Sequence, residues 1–271
     1  MKRRAQPWLG TLVDITIADP LSDAELAACF DDAFAAIAEV QRLMSFHDPQ
    51  SDVSRFNRAQ PGEAVPVHAH TREVLRTALG VYGASEGIFD ISCAPRLVDA
   101  GCLPPPGGKR ADHVPGSRAL SLDEGLHALK SGPLWIDLGG IAKGYAVDLA
   151  IQVLQRRAVR SACVNAGGDL RVLGANPVLI RNPRAPTDMA MQVELQDESL
   201  ATSANYFSGR DAAAGSVLID GRNGRACAGD FSVTVRAPSC MLADALTKVV
   251  AATQDANHPA VARFGACAFI I

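Results

Sequence analysis

The chain has no C-x-x-C pair, no G-x-G-x-x-G, no G-x-x-x-x-G-K-[ST], and no run of eighteen apolar residues. Each absence removes a class of protein: zinc ribbons and thioredoxin-like redox sites, two nucleotide-binding loops, and membrane-spanning helices. Cysteine is present seven times, an odd number with no framework spacing, so a disulfide scaffold is not indicated and a reducing compartment fits best. A basic excess is also missing. With 26 Lys and Arg against 29 Asp and Glu, a formal charge of −3 argues against general nucleic-acid binding, which normally needs a basic face. The basic runs "MKRR" and "QRRAVR" read as solvated charge. Aromatics are scarce at 5%, and no fixed-period repeat is visible.

What remains is an ordinary globular composition, 48% hydrophobic over 271 residues, enough for one large core. The opening "AQPWLGTLVDITIADP" alternates apolar and polar and meets Asp14 too early for a signal peptide, so a cytoplasmic protein is expected. "TLVDITIA" (11–18) reads as a strand. Ser22 and Glu25 then form a capping box before a helix whose stripe is Leu26, Phe30, Ala33, Ile37, Val40 and Met44, ending near Ser45. A second helix is predicted from about Thr71 to Gly87, after a strand-like stretch that carries His68 and His70 as surface residues. The proline- and glycine-rich 102–116 reads as a loop. From 134 onward short β-rich runs dominate ("LWIDL", "ACVNA", "LRVLG", "PVLIRN", "AMQVELQ", "SLATSA", "SVLID", "FSVTVRA" and the closing "ACAFII"), with helices over 142–158 and 240–254.

Three stretches can carry chemistry. "WIDLGGIAKGYAVDLA" (135–150) turns through Gly139 and Gly140 into a helix with Lys143 on its first turn; bare backbone and a helix N-terminus suit a phosphate, although two glycines can also serve only to turn the chain. "VNAGGDLRVLG" (164–174) holds a second glycine pair, either a hairpin turn or a ligand loop. Asp244, Thr247 and Lys248 share one helix face between the apolar flanks "CMLA" and "VVAA", where a charged face calls for a partner such as a metal or phosphate.

In order along the chain, "WLGTLVDITI", "LMSFHDPQSDVSRFN", "FDISCAPRLV", "IDLGGIAKGYAVD", "VNAGGDL", "ATSANY", "LIDGRNG" and "ADALTK" resemble the ApbE-like family of FAD:protein FMN transferases. The resemblance implies an α+β fold of mixed or antiparallel sheets with packed helices, T-fold-like, as one domain over 1–271 or two intimate lobes around a flavin site. It implies FAD as substrate and Mg²⁺ as cofactor. The FMN half passes to a threonine hydroxyl of an electron-transfer flavoprotein and AMP is released; some members instead hydrolyse FAD. Carried over residue by residue, the metal falls to the Gly140 carbonyl, Asp244 and Thr247. The flavin nucleotide falls to Met44, Phe46, His47, Asn57, Asp137, Gly139, Gly140, Lys143, Ser203 and Tyr206.

Two departures touch the chemistry. The family's hydroxyl ligand lies four residues after the metal aspartate, where this chain has Lys248, with Thr247 one place earlier and rotated by about 100° on a helix. Either Thr247 reaches the metal by a shifted path, or the Lys248 ammonium supplies charge. The family's "HIID" reads "VLID", with Val217 in the histidine position, which leaves Asp220 as the candidate base beside Asp244 and Lys143 in the catalytic group. A flavin-binding module without chemistry is the reading of a different class.

Overall fold

A computed structural model describes residues 1–107, 119–182, 185–204, 218–229 and 231–271. Tyr206, Val217 and most of the 102–116 loop lie outside the described residues.

Strand β1 (Lys2–Trp8) turns at Leu9 and Gly10, both at positive φ, into β2 (Thr11–Ile17). Two consecutive left-handed residues give the turn that matches strand twist. The strained Leu9 is anchored by its amide, which donates to Gln41 Oε1 at 2.7 Å. The basic residues of "MKRR" lie in this edge strand and stay solvated as expected, with Arg3 paired to Asp14 and Arg4 to Asp31. In β2, Val13, Ile15 and Ile17 are fully buried, as the alternation requires.

Helix α1 (Asp23–Met44) starts on the Ser22–Glu25 capping box, with both reciprocal hydrogen bonds present, and buries the expected stripe. After it come α2 (Asp52–Arg58), β3 (Ala64–Pro66), α3 (Ala69–Ala84), a 3₁₀ turn at Ile91–Cys93, and α4 (Ala94–Asp99). β4 (Leu120–Leu122) and β5 (His127–Lys130) join β3 in a small sheet, order β3-β5-β4. Then follow α5 (Ala142–Arg156), β6 (Ala162–Ala166), β7 (Asp169–Leu173), β8 (Ala175–Asn182), β9 (Ala185–Gln196) and β10 (Ser199–Ala204). The chain continues through β11 (Ile219–Asp220), β12 (Arg225–Ala226), β13 (Ser232–Ala237), α6 (Cys240–Thr253), α7 (Pro259–Arg263) and β14 (Cys267–Ile270).

The main sheet runs β1-β2-β6-β7-β10-β13-β14, every neighbouring pair antiparallel. α1 packs on α5, α5 on α6, and α6 on β10 and β13, so the helices bury one face of the sheet in a cluster reaching from Val13 to Val261. Leu170, Val172 and Leu200 point the other way by strand alternation and pack under the β8–β9 hairpin with Val178, Ile180 and Leu195. The α+β expectation of antiparallel sheets with packed helices holds. Among the described residues no helix is long and apolar enough to cross a membrane.

Two local expectations fail. "LWIDL" forms no strand: the Asn57 side chain clamps Ile136, accepting from its amide at 2.8 Å and donating to its carbonyl at 2.9 Å, while the Asp137 amide donates to Ile91 O at 2.9 Å. These bonds replace a ladder. The His68–His70 stretch is a helix start, with His68 as N-cap of α3.

His70 Nδ1 lies 2.6 Å from the Tyr145 hydroxyl, tying α3 to α5. Burial first, and His68 beside it, hold His70 below the ordinary histidine value despite the nearby Glu39 carboxylate. A histidine depressed in the folded state contributes stability that is present above its unfolded value of about 6.5 and is lost as pH falls towards the folded value. Thermal melts between about pH 7 and 5 should therefore fall more steeply for the native chain than for His70→Gln. Equal slopes would contradict the assignment.

Candidate active site

Helices α5 and α6 meet at their N-terminal turns, and Gly144 makes the approach possible. A Cβ built there would lie 2.2 Å from the Cys240 carbonyl oxygen and 2.8 Å from Met241 Cα. At this crossing each helix caps the other. Asp148 on α5 accepts from the amides of Cys240 and Met241, both at 2.9 Å, and is paired to Arg171 at 2.7 Å. Asp244 on α6 accepts from the Gly144 amide at 3.1 Å. First-turn amides are otherwise without a partner, and a carboxylate also suits the positive end of the helix dipole.

Asp244 is fully buried inside a run of alternating charges. Its Oδ1 pairs with the Lys248 ammonium one turn on, its Oδ2 lies 3.8 Å from Lys143 Nζ, and Lys143 pairs in turn with Asp169. Burial alone would raise the Asp244 carboxyl, but Lys143 and Lys248 outweigh it and hold the group below the ordinary aspartate range. For Asp169 burial wins, helped by the Asp244 charge, and its pKa is raised. Burial disfavours the Lys143 ammonium, yet Asp169 and Asp244 keep it above the ordinary lysine value.

Beside this group opens a cavity of about 780 Å³. Gly139, Gly140, Lys143, Lys248 and Asp137 supply polar lining, as do Gly167 of the β6–β7 hairpin and Ser203. Met44, Phe46, Phe89, Leu97, Leu103 and His47 also line it, and Phe89 reaches the glycine turn, where a Cβ built on Gly140 would meet its ring at 3.6 Å. The local chain explains this placement. Ser45 ends α1, its hydroxyl accepts the amides of His47 and Asp48 at 3.1 Å, and Ser51 donates back to Ser45 O at 2.5 Å. That tight return directs Phe46 and His47 at the cavity. Gly167 and Gly168 take positive φ in the hairpin turn, so the second glycine pair is both a turn and part of the lining.

The structure thus brings together Met44, Phe46, His47, Asp137, Gly139, Gly140, Lys143 and Ser203 on one cavity, with Asp244 directly behind Lys143 and Lys248. It does not bring three others there. Asn57 is buried against Ile136 and holds the segment leading to the glycine turn. Asp220 is engaged by Arg222 at 2.7 and 3.0 Å; burial tends to raise it, but the Arg222 and Asn223 hydrogen bonds keep it below its ordinary range, an unfavourable state for a base. Thr247 is fully buried and turns its hydroxyl to the Asp244 carbonyl and Ser203 Oγ, each at 2.7 Å. Sequence reasoning passed over Asp169 as a site residue although it follows the second glycine pair directly, and over Gly144, whose only signal is its place one after Lys143.

The chain is similar to known proteins along nearly its whole length. A family model described as "ApbE family" matches residues 9–270. A FAD:protein FMN transferase of Vibrio cholerae is 30% identical over 263 residues, covering 89% of this chain and 78% of its own. A second from Treponema pallidum is 27% identical over 277 residues, covering 90% and 76%. Among solved structures, the ApbE protein of Thermotoga maritima superimposes with a TM-score of 0.86 at 25% identity, covering 100% of this chain and 94% of that one.

Proposed function

The chain belongs to the ApbE family, and from that premise we propose that it transfers the FMN half of FAD to a threonine hydroxyl of an acceptor flavoprotein, with AMP as leaving group. Family resemblance alone does not transmit function. The observation that carries the reading is a cavity whose lining joins apolar and aromatic side chains, suited to an isoalloxazine ring, with a glycine turn and two lysines, suited to a diphosphate.

The reaction forms a bond from the threonine oxygen to the FMN phosphorus and breaks the bridging P–O bond, whose electron pair leaves with AMP. Lys143, fixed between Asp169 and Asp244, holds a positive charge where negative charge grows on the leaving phosphate. The hydroxyl proton needs an acceptor on the cavity, and Asp137 takes the role the sequence offered to Asp220. Its carboxyl lines the cavity, and burial raises its pKa even against the hydrogen bond it accepts from the Gly139 amide at 3.1 Å. A carboxylate raised towards the working pH is the better base.

The Mg²⁺ that the resemblance implies does not fit the residues present. Of its three donors, the Asp244 carboxylate is taken by Gly144 and Lys248, the Thr247 hydroxyl faces Ser203, and the Lys248 stem lies over Gly140.

The test mixes the purified chain with FAD and the protein substrate of the Vibrio cholerae relative. The expected result is a fluorescent acceptor band in denaturing gels, a mass gain of one FMN less one water, and AMP in equal amount. Free FMN without adduct would make the protein a hydrolase. Asp137→Asn should lower the rate by about a hundredfold with FAD affinity nearly unchanged; an unaltered rate removes Asp137 from the mechanism.

A further inference from the structure

The position where the family places its hydroxyl metal ligand is occupied here by a lysine whose geometry is complete. Lys248 Nζ pairs with Asp244 Oδ1 and donates to the Asp244 carbonyl at 2.9 Å, which uses two of its three N–H groups. Its stem covers Gly140: a Cβ built on that glycine would meet Lys248 Cε at 3.4 Å and Cδ at 3.8 Å. The side chain is 16% exposed, and that exposure opens onto the cavity.

The charges around it leave little place for a second cation. Asp169, Lys143, Asp244 and Lys248 alternate and sum to zero. A dication brought to Asp244 would face two ammonium groups already in contact with, or within 3.8 Å of, the same carboxylate. Mg²⁺ also demands near-octahedral oxygen donors, usually one or two carboxylates with substrate phosphates and water. One carboxylate with both oxygens engaged is a poor start.

We infer that this chain carries its own cation: the Lys248 ammonium, tethered over Gly140 and held by Asp244, serves the FAD diphosphate in place of a divalent ion, so that the protein binds and cleaves FAD without Mg²⁺. The inference rests on the flavin reading above for its ligand, but the identity of the cation can be tested without that reading. A covalently held ammonium is present in every molecule and needs no metal supply, at the expense of the second charge that Mg²⁺ would bring. Its remaining N–H can reach a phosphate oxygen as a charge-assisted hydrogen bond.

The test uses the full chain stripped with a chelator and three readouts: Mn²⁺ binding by electron paramagnetic resonance with and without FAD, FAD affinity by flavin fluorescence, and AMP release with the acceptor protein of the transfer assay present. For the native chain the expected result is no bound Mn²⁺, and FAD affinity and AMP release equal in chelator and in Mg²⁺. Lys248→Met should weaken FAD by about ten- to a hundredfold in chelator. The double variant Thr247→Ala, Lys248→Thr moves the hydroxyl to the fourth position and should gain both Mn²⁺ binding and Mg²⁺-dependent FAD affinity. Stoichiometric Mn²⁺ on the native chain, or AMP release lost in chelator and restored by Mg²⁺, overturns the inference. If the native chain binds no FAD at all, the flavin reading fails, and Mn²⁺ titration of the native and double-variant chains still decides the cation.

Discussion

Asp244→Ala is expected to abolish FMN transfer and to lower the melting temperature by roughly 6–20 °C. Three dependencies converge on this carboxylate: the Gly144 amide, the Lys248 ammonium and, through space, Lys143. Removing one partner of a buried ion pair costs about 3–5 kcal/mol, because the charge left behind stays buried without compensation. Here Lys248, 16% exposed, loses its carboxylate partner, while Lys143, 31% exposed, keeps only Asp169. Asp244→Asn separates fold from function. The amide keeps an acceptor for Gly144 but supplies no charge, so its melting point should lie between native and alanine forms while AMP release falls by about a hundredfold or more. Calorimetry with an AMP assay reads both quantities. Full transfer by the alanine variant would remove the whole site assignment.

The second large effect belongs to a residue without a side chain. Gly144→Ala places a methyl 2.2 Å from the Cys240 carbonyl oxygen and 2.6 Å from its carbon, both backbone atoms that no rotamer change can move. α5 and α6 must separate, and the hydrogen bond from Gly144 to Asp244 stretches with them. Overpacking costs about 1–3 kcal/mol when side chains can adjust; with backbone on both sides the loss should exceed that range. Gly80 in α3 is the control, since a Cβ there meets nothing within 4 Å. Gly80→Ala should stabilise by about 0.4–1 kcal/mol. Paired denaturant melts give the comparison, and a Gly144→Ala variant as stable as the native chain would mean that the helices are not in contact at this point.

Much of this was legible in the sequence where the information is local. The Ser22–Glu25 box and the stripe from Leu26 to Met44 are written within one helix, and α1 follows from them. The Gly139–Gly140 turn into Lys143 and the Asp244–Lys248 pair at four residues are equally local, and the turn, Lys143 and Lys248 line the cavity. What escaped depends on distant segments meeting. Lys143 finds Asp169 because the β6–β7 hairpin lies against α5, 26 residues away. Gly144 matters only because α6 arrives a hundred residues later. "LWIDL" has strand composition, but its hydrogen bonds go to Asn57 and Ile91, and no propensity reports that competition. Asn57 was placed by resemblance to a motif, and the structure gives it Ile136 as a distant partner; Asp220 was offered in place of the missing histidine, and its partner Arg222 is two residues on.

The mutual capping of α5 and α6 has a dynamic consequence. A helix end ordinarily frays alone, but here the first turn of α5 is held by an acid borne on α6, and that of α6 by an acid borne on α5. The two ends open together or not at all, as one cooperative unit in hydrogen exchange. The part of the cavity lining that carries Lys143 and Lys248, both borne on these helices, is thereby its fixed part. Any ligand that needs more room must gain it from lining that the mutual caps do not hold, such as Met44 to His47 and Leu97 to Leu103, which close the space with side chains rather than with paired helix ends.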